Sequence, residues 1–115
     1  MNPPFKVEAE QDGTLRRLSI VGELDQGTAP QLREQLTSAL VDQRGSVLVD
    51  LSECSFIDST GLSLLVEAKR KLAGDERRFA VCCPDADVRR LLELTGIGQA
   101  VGLYDTRDAA AAALA

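Results

Sequence analysis

Histidine and tryptophan are both absent from this sequence of 115 residues, and the aromatic residues are three Phe and one Tyr. A chain without histidine cannot form a Ser-His-Asp triad, a His-ligated zinc site or a phosphohistidine relay. Because aromatic residues are so few, the hydrophobic core has to be built from Leu, Val, Ile and Ala. The length is that of one domain with a core of its own.

The sequence has no excess of positive charge and no long apolar run. Its formal net charge is -5, whereas binding to nucleic acid or to an anionic membrane surface needs a basic face. No apolar run approaches the roughly 20 residues of a membrane span, and residues 1–10 contain no apolar signal core. We therefore expect no nucleic acid and no membrane as partner, and a cytoplasmic location.

Cysteine is represented by three residues, Cys54, Cys82 and Cys83. Three cysteines cannot form a fully paired disulfide framework, and no two of them have Cys-x-x-Cys spacing. Cys82 and Cys83 are adjacent, so on a strand they would point to opposite faces. We interpret all three as small buried hydrophobic residues in a reducing compartment, and we expect no metal site and no cofactor.

The hydrophobic pattern predicts a hairpin followed by strands that alternate with helices. This order is typical of an α/β fold: one domain over residues 1–115, with a mixed, mostly parallel sheet of about five strands and about four flanking helices. The core would span about 5–104, followed by a C-terminal helix at about 106–115. The predicted strands are Phe5–Glu10, Thr14–Val21, Val47–Leu51, Phe79–Cys83 and Val101–Tyr104, and the predicted helices are Thr28–Asp42, Asp58–Ala73, Asp85–Leu94 and Thr106–Ala115. Thr28 is expected to cap the first helix, and Gly74 to close the second.

The connection after the strand that ends at Leu51 carries the most suggestive chemistry. It runs from Ser52 to Gly61 and places hydroxyl groups and the Asp58 carboxylate next to the start of a helix. Within it, Phe56 and Ile57 are expected to fill the core. A helix N-terminus has free N–H groups and a partial positive charge, so it tolerates a phosphate. Phosphorylation of Ser59 would add about -1.5 to -2 charges there. However, Asp, Ser and Thr are also ordinary helix caps, and local chemistry alone leaves both interpretations open.

Four segments in the same order and spacing resemble the STAS domain, specifically the bacterial anti-sigma factor antagonists. The resemblance covers about Phe5 to Tyr104 and rests on these segments: Gly22-Glu23-Leu24-Asp25, Val47–Leu51, Phe56-Ile57-Asp58-Ser59-Thr60-Gly61-Leu62 and Thr95-Gly96-Ile97. It implies a STAS fold and a protein-binding switch rather than an enzyme. The switch frees a sigma factor when the unphosphorylated protein binds the anti-sigma factor.

The resemblance also implies partners and site residues. The anti-sigma factor would be a serine kinase that phosphorylates Ser59, and a PP2C-type phosphatase would remove the phosphate. Thr60 would be a minor acceptor. Asp25, Asp58 and Gly61 would join the two hydroxyl residues in the partner-binding surface. We expect the protein to be a monomer.

Three other classes of protein share features with this sequence. A response-regulator receiver would use an aspartate such as Asp50, but it also needs an acidic pair after its first strand and a Lys after its last, and this chain has neither. Residues 96–102 mimic a dinucleotide-binding motif with the wrong spacing, after a helix rather than a strand. A STAS domain that serves a transporter or another signalling assembly would have the same fold and a different partner.

Overall fold

The computed structural model describes residues 4–42 and 45–114. The described residues form five strands and five helices in an α/β arrangement. In chain order the elements are β1 (Lys6–Asp12), β2 (Leu15–Leu24), α1 (Ala29–Val41), β3 (Ser46–Ile57), α2 (Ser59–Gly74), β4 (Phe79–Cys82), α3 (Ala86–Leu94), α4 (Ile97–Val101), β5 (Leu103–Tyr104) and α5 (Arg107–Ala113).

All five strands belong to one mixed sheet in the order β1-β2-β3-β4-β5. β1 and β2 form the predicted antiparallel hairpin, and its turn contains Gly13 at φ +61°, a conformation that glycine adopts without a steric penalty. The pairs β2–β3, β3–β4 and β4–β5 are parallel. The predicted fold class, a mixed and mostly parallel sheet with an N-terminal hairpin, is confirmed.

The sheet has a hydrophobic layer on each face. The larger layer joins buried residues of β2, β3 and β4 to α1, α2, α3 and the end of α4. The smaller layer lies under α5, where Leu48, Ala80 and Cys82 contact Ala110. Four helices therefore cover one face, and the short α5 covers part of the other. All three cysteines are buried and unpaired, as the sequence predicts, with Cys82 and Cys83 in different layers.

α5 is anchored by an ion pair that reaches into the sheet. Asp50 on β3 is only 2% exposed, and its Oδ2 accepts a hydrogen bond of 2.8 Å from Nε of Arg107 on α5. Oδ1 of Asp50 accepts from the backbone N–H and the hydroxyl of Ser52. The buried carboxylate thus has partners for both oxygens, as burial of a charge requires.

β2 and β3 run further than the sequence pattern predicts. The expected break at Gly22 and the expected strand end at Leu51 are both wrong, because β2 continues to Leu24 and β3 to Ile57. Two register shifts in the β2–β3 pairing accommodate the irregular alternation of side chains and keep the strands bonded. Residues 52–57 are therefore strand rather than connection.

The exposure of Phe56 also differs from expectation. We expected Phe56 and Ile57 both to fill the core, but only Ile57 does so, at 1% exposed, whereas Phe56 is 48% exposed. Successive strand residues point to opposite faces of a sheet, and Ile57 takes the face that the helices cover. β3 also extends beyond the end of β4, since the β3–β4 pairing stops at Asp50.

The C-terminal third contains a short helix that the sequence pattern did not indicate. α4 spans Ile97–Val101, so the last strand shrinks from the predicted Val101–Tyr104 to Leu103–Tyr104. Five residues give too little periodicity to reveal a helix. The predicted exit of α2 at Gly74 is also misplaced, because Gly74 is the last helical residue and the positive φ of +58° belongs to Glu76.

Candidate functional site

The predicted site residues lie at the carboxyl end of the sheet, where β2 leads into α1 and β3 leads into α2. Because β2 and β3 are parallel neighbours, both strands finish at the same edge. The backbone N–H of Asp58 donates to the carbonyl of Leu24 at 3.1 Å, so the two strand ends are bonded directly. The family resemblance implies that Asp25 and Ser59 belong to one surface, and the structure brings the segments that carry them side by side.

The Asp58 carboxylate has one oxygen for each of the two connections. Oδ1 accepts from the backbone N–H of Gly61 at 3.0 Å, which is the hydrogen bond of a helix N-cap. Oδ2 accepts from the backbone N–H of Gln26 at 3.1 Å, in the connection before α1. Asp58 is therefore both the cap of α2 and the link between the connections. The cap is evident from sequence, but the link is not.

Asp25 fixes the start of α1. Its Oδ1 accepts from the backbone N–H groups of Gly27 at 2.9 Å and Thr28 at 3.0 Å. Thr28 was expected to cap this helix, but its side chain makes no capping bond. Its hydroxyl instead accepts from the backbone N–H of Asp25 at 2.9 Å and donates to the carbonyl of Glu23 at 2.7 Å.

Gly61 lets α2 approach the two strand ends closely. A Cβ atom at this position would lie 2.8 Å from Cγ of Leu24 and 2.9 Å from Cγ1 of Ile57. Both side chains are buried in the core, at 0% and 1% exposed respectively. Any larger residue would push the first turn of α2 away from the sheet, so Gly61 sets the position of the helix start.

Ser59 is the first residue of α2 and its side chain is exposed. No hydrogen bond from its hydroxyl to any other described residue is present. Thr60 is partly buried, and Ser55 lies on β3 rather than at the helix start. Of these three hydroxyl residues, Ser59 combines exposure with a place at the helix N-terminus.

The described part of the chain was compared with the requirements of a metal site and of a membrane-spanning helix, and it meets neither. No group of three or more Cys, Asp and Glu side chains is arranged to hold a metal ion within residues 4–42 and 45–114. None of the helices described there has the length and apolar character needed to cross a membrane.

Comparison with known proteins identifies the family. The STAS domain model matches residues 6–110 of this chain. An anti-sigma-B factor antagonist of Staphylococcus aureus is 31% identical over 93 residues, covering 81% of this chain and 86% of the relative. The anti-sigma-F factor antagonist RsfB of Mycobacterium tuberculosis is 33% identical over 89 residues, covering 77% and 72%. This chain belongs to the STAS domain family.

The solved structures agree with this assignment. The crystal structure of an anti-sigma factor antagonist from Mycobacterium paratuberculosis superposes with a TM-score of 0.90 at 29% sequence identity. The match covers 99% of this chain and 98% of that protein. The fold that the sequence resemblance implied is thus the fold of the protein.

Proposed function

We propose that this protein is an anti-sigma factor antagonist that is controlled by phosphorylation of Ser59. In its unphosphorylated form it binds an anti-sigma factor that is also a serine kinase, and the sigma factor is released. It is a binding protein, not an enzyme, and it acts as a single-domain monomer in the cytoplasm. The observation that carries the proposal is the exposed, unengaged Ser59 hydroxyl on a helix start that Asp58 and Gly61 hold in place.

The geometry suits phosphoryl transfer by a partner. Oγ of Ser59 attacks the γ-phosphorus of ATP held by the kinase, a base of the kinase takes the hydroxyl proton, and ADP leaves. Hydrogen bonds to Asp58 and Leu24 fix the helix start before the partner arrives, so little reorganisation is needed at the moment of transfer. Thr60, which is partly buried, is the less accessible acceptor.

Phosphorylation would end the complex without unfolding the protein. The phosphate lies at the N-terminus of α2, where the helix dipole and free N–H groups stabilise an anion. In the kinase site, however, phosphoserine faces the phosphates of the bound nucleotide, and like charges at close range repel. A PP2C-type phosphatase returns the protein to its binding form by hydrolysing the phosphoserine.

The test is incubation of the purified protein with ATP and each anti-sigma factor kinase of the source bacterium, followed by intact-mass and peptide mass spectrometry. We expect one phosphoryl group on Ser59, none on Ser59→Ala, and an unchanged yield on Thr60→Ala. A phosphoryl group found chiefly on another residue, or no modification by any of these kinases, would contradict the proposal.

A further inference from the structure

Phe56 is an exposed aromatic side chain at the end of β3, three residues before Ser59. Exposed apolar residues are common on protein surfaces and need no function. Among the described residues, the large hydrophobic side chains that are exposed are Phe56 at 48%, Val41 at 72% and Leu94 at 74%. Val41 and Leu94 lie at the C-terminal ends of α1 and α3, which is the opposite end of the sheet. Phe56 alone of these three lies at the carboxyl end, beside the phosphorylation site.

Phe56 lies on the other face of the sheet from α1 and α2. Its register partner on β2 is Glu23, and the next pair along is Leu24 with Ile57, which enters the core beneath the helices. Since alternate residues face opposite ways, Phe56 and Glu23 share the face on which α5 lies. A partner seated on the carboxyl end of the sheet can therefore touch Ser59 on one side and Phe56 on the other.

The carboxyl end of the sheet is acidic. Three segments at this end, residues 22–28, 53–59 and 83–88, contain no Lys or Arg, whereas the connection after β5 leads into Arg107. The carboxylates in the three segments are Glu23, Asp25, Glu53, Asp58, Asp85 and Asp87. The C-terminal half of α2 and the residues before β4 carry the opposite charge, with Lys69, Arg70, Lys71, Arg77 and Arg78 at the other end of the molecule. The segments that lead into α1, α2 and α3 are thus acidic, and the far end of α2 is basic.

We propose that Phe56 is an aromatic anchor for the anti-sigma factor kinase, entering an apolar pocket rimmed by Lys and Arg side chains on that protein. This inference rests on the proposed function and adds the chemistry of the partner surface to it. Aromatic anchors surrounded by polar rims are typical of protein–protein interfaces. The acidic carboxyl end of the sheet, called the acidic rim below, would speed encounter with a basic partner. The charge of phosphoserine would act only locally, against the nucleotide phosphates.

The anchor is tested by titrating the kinase that modifies Ser59 against Phe56→Ala, with Leu94→Ala as the matched control. We expect about 10- to 30-fold weaker binding for Phe56→Ala, which is the effect of truncating an anchor, and no change for Leu94→Ala. Phe56→Leu, which keeps an apolar side chain, should lose less affinity. Urea unfolding of each variant shows whether the fold is retained. Binding of a folded Phe56→Ala within about twofold of wild type would overturn the anchor while leaving the Ser59 switch intact.

The acidic rim is tested by charge reversal at low and high salt. Glu53→Lys, at the carboxyl end, should lower the association rate constant at low salt, and the difference should shrink as salt screens the charges. Asp75→Lys makes the same charge change at the C-terminal end of α2 and should leave this rate constant nearly unchanged. Equal effects of the two variants would contradict a basic rim on the partner. If wild type itself neither bound nor was phosphorylated, the proposed function would fail, and this inference with it.

Discussion

The backbone N–H of Gln26 donates a hydrogen bond of 3.1 Å to Oδ2 of Asp58, and this contact joins the connection before α1 to the start of α2. The other carboxylate oxygen of Asp58 accepts a hydrogen bond from the N–H of Gly61. One carboxylate therefore caps the helix that presents Ser59 and also fixes the neighbouring connection that carries Asp25. Asp58 therefore ties the start of α2 to the connection before α1.

Asp58→Ala should lower both stability and phosphorylation. Loss of a helix cap costs about 0.5 to 2 kcal/mol of unfolding free energy, and loss of the link to Gln26 loosens the position of Ser59. Urea unfolding and the rate of Ser59 phosphorylation should be measured on the same variant. Thr106→Ala is the control, because the uncharged Thr106 side chain caps α5 by accepting from the backbone N–H of Ala109 at 3.0 Å. It should lose comparable stability and keep its phosphorylation rate; a similar loss of rate in both variants would refute a specific role for Asp58.

Gly61→Ala should destabilise the protein even though alanine is the better helix former. The added Cβ would lie 2.8 Å from Leu24 in the buried core, and forcing an extra methyl group into a packed site costs about 1 to 3 kcal/mol. Gly74→Ala is the control in the same helix, since a Cβ there meets nothing within 4 Å. It should be neutral or stabilising by up to about 1 kcal/mol in unfolding free energy. Equal stability of the two variants would show that α2 can shift away from Leu24 at no cost.

The site illustrates what the sequence predicts and what it leaves open. Asp58 as a helix cap and Ser59 as an exposed residue at the helix start follow from local preferences and hydrophobic spacing. The bond from Gln26 to Asp58 does not, because a backbone N–H carries no sequence signature. The role of Gly61 in close packing depends on Leu24, 37 positions earlier in the chain, which only the folded sheet brings near.

The strand boundaries show the same limit. The hairpin and four of the five helices are predicted, with the ends of those helices within about two residues, and only α4 is missed. β3 is predicted to end at Leu51 because Ser52, Glu53 and Ser55 read as a polar connection. In the fold these residues stay in the strand, since β2 continues beside them and supplies hydrogen-bond partners. Phe56 was assigned to the core on hydrophobicity alone, which does not say which face of a strand is covered.

Arg107→Ala should weaken the attachment of α5 and lower the stability of the whole domain. It leaves the Asp50 carboxylate, which is 2% exposed, without its cation. Because Arg107 itself is half exposed, we expect a loss of about 1 to 3 kcal/mol in unfolding free energy, below the cost of breaking a fully buried pair. Arg90→Ala, an exposed arginine on α3, should change stability by less than about 0.5 kcal/mol.

The partner of Arg107 can be tested in a double variant. Asp50→Asn removes the buried charge but keeps a side-chain oxygen as acceptor. Combined with Arg107→Ala, it should be more stable than Arg107→Ala alone if an uncompensated carboxylate causes the loss. Additive losses in the double variant would instead show that the two side chains act independently.

The buried thiols should make the protein less stable at high pH. Burial raises the pKa of the Cys83 thiol to about 12, and it also raises the pKa of Cys54 and of Cys82. In the unfolded chain the thiols lose their protons near pH 8.5. The free energy of unfolding is therefore unaffected by the thiols below that pH, and it falls as the pH rises towards the pKa of each thiol in the folded protein. For Cys83 the loss is at most about 1.4 kcal/mol per pH unit. Urea unfolding from pH 7 to 11 should show a shallower decline for Cys83→Ala; identical slopes would contradict the assignment.

The Ser59 variants separate binding from modification. Ser59→Ala removes the acceptor oxygen but leaves the cap and the link of Asp58 in place, so it should bind the kinase with nearly the wild-type affinity and take up no phosphate. Ser59→Asp places a carboxylate against the nucleotide phosphates of the kinase and should bind at least about tenfold more weakly. Affinity should be measured by calorimetry with the kinase loaded with a non-hydrolysable ATP analogue.

The control for the charge effect is Ser63→Asp, one turn further along α2 and also exposed. It adds the same charge to the same helix, away from the N-terminus. If it weakened binding as much as Ser59→Asp, the effect would be that of added charge anywhere on α2, and the switch would not be centred on Ser59. If only Ser59→Asp weakened binding, and Ser59→Ala did not, then charge at this one position separates the bound from the released state.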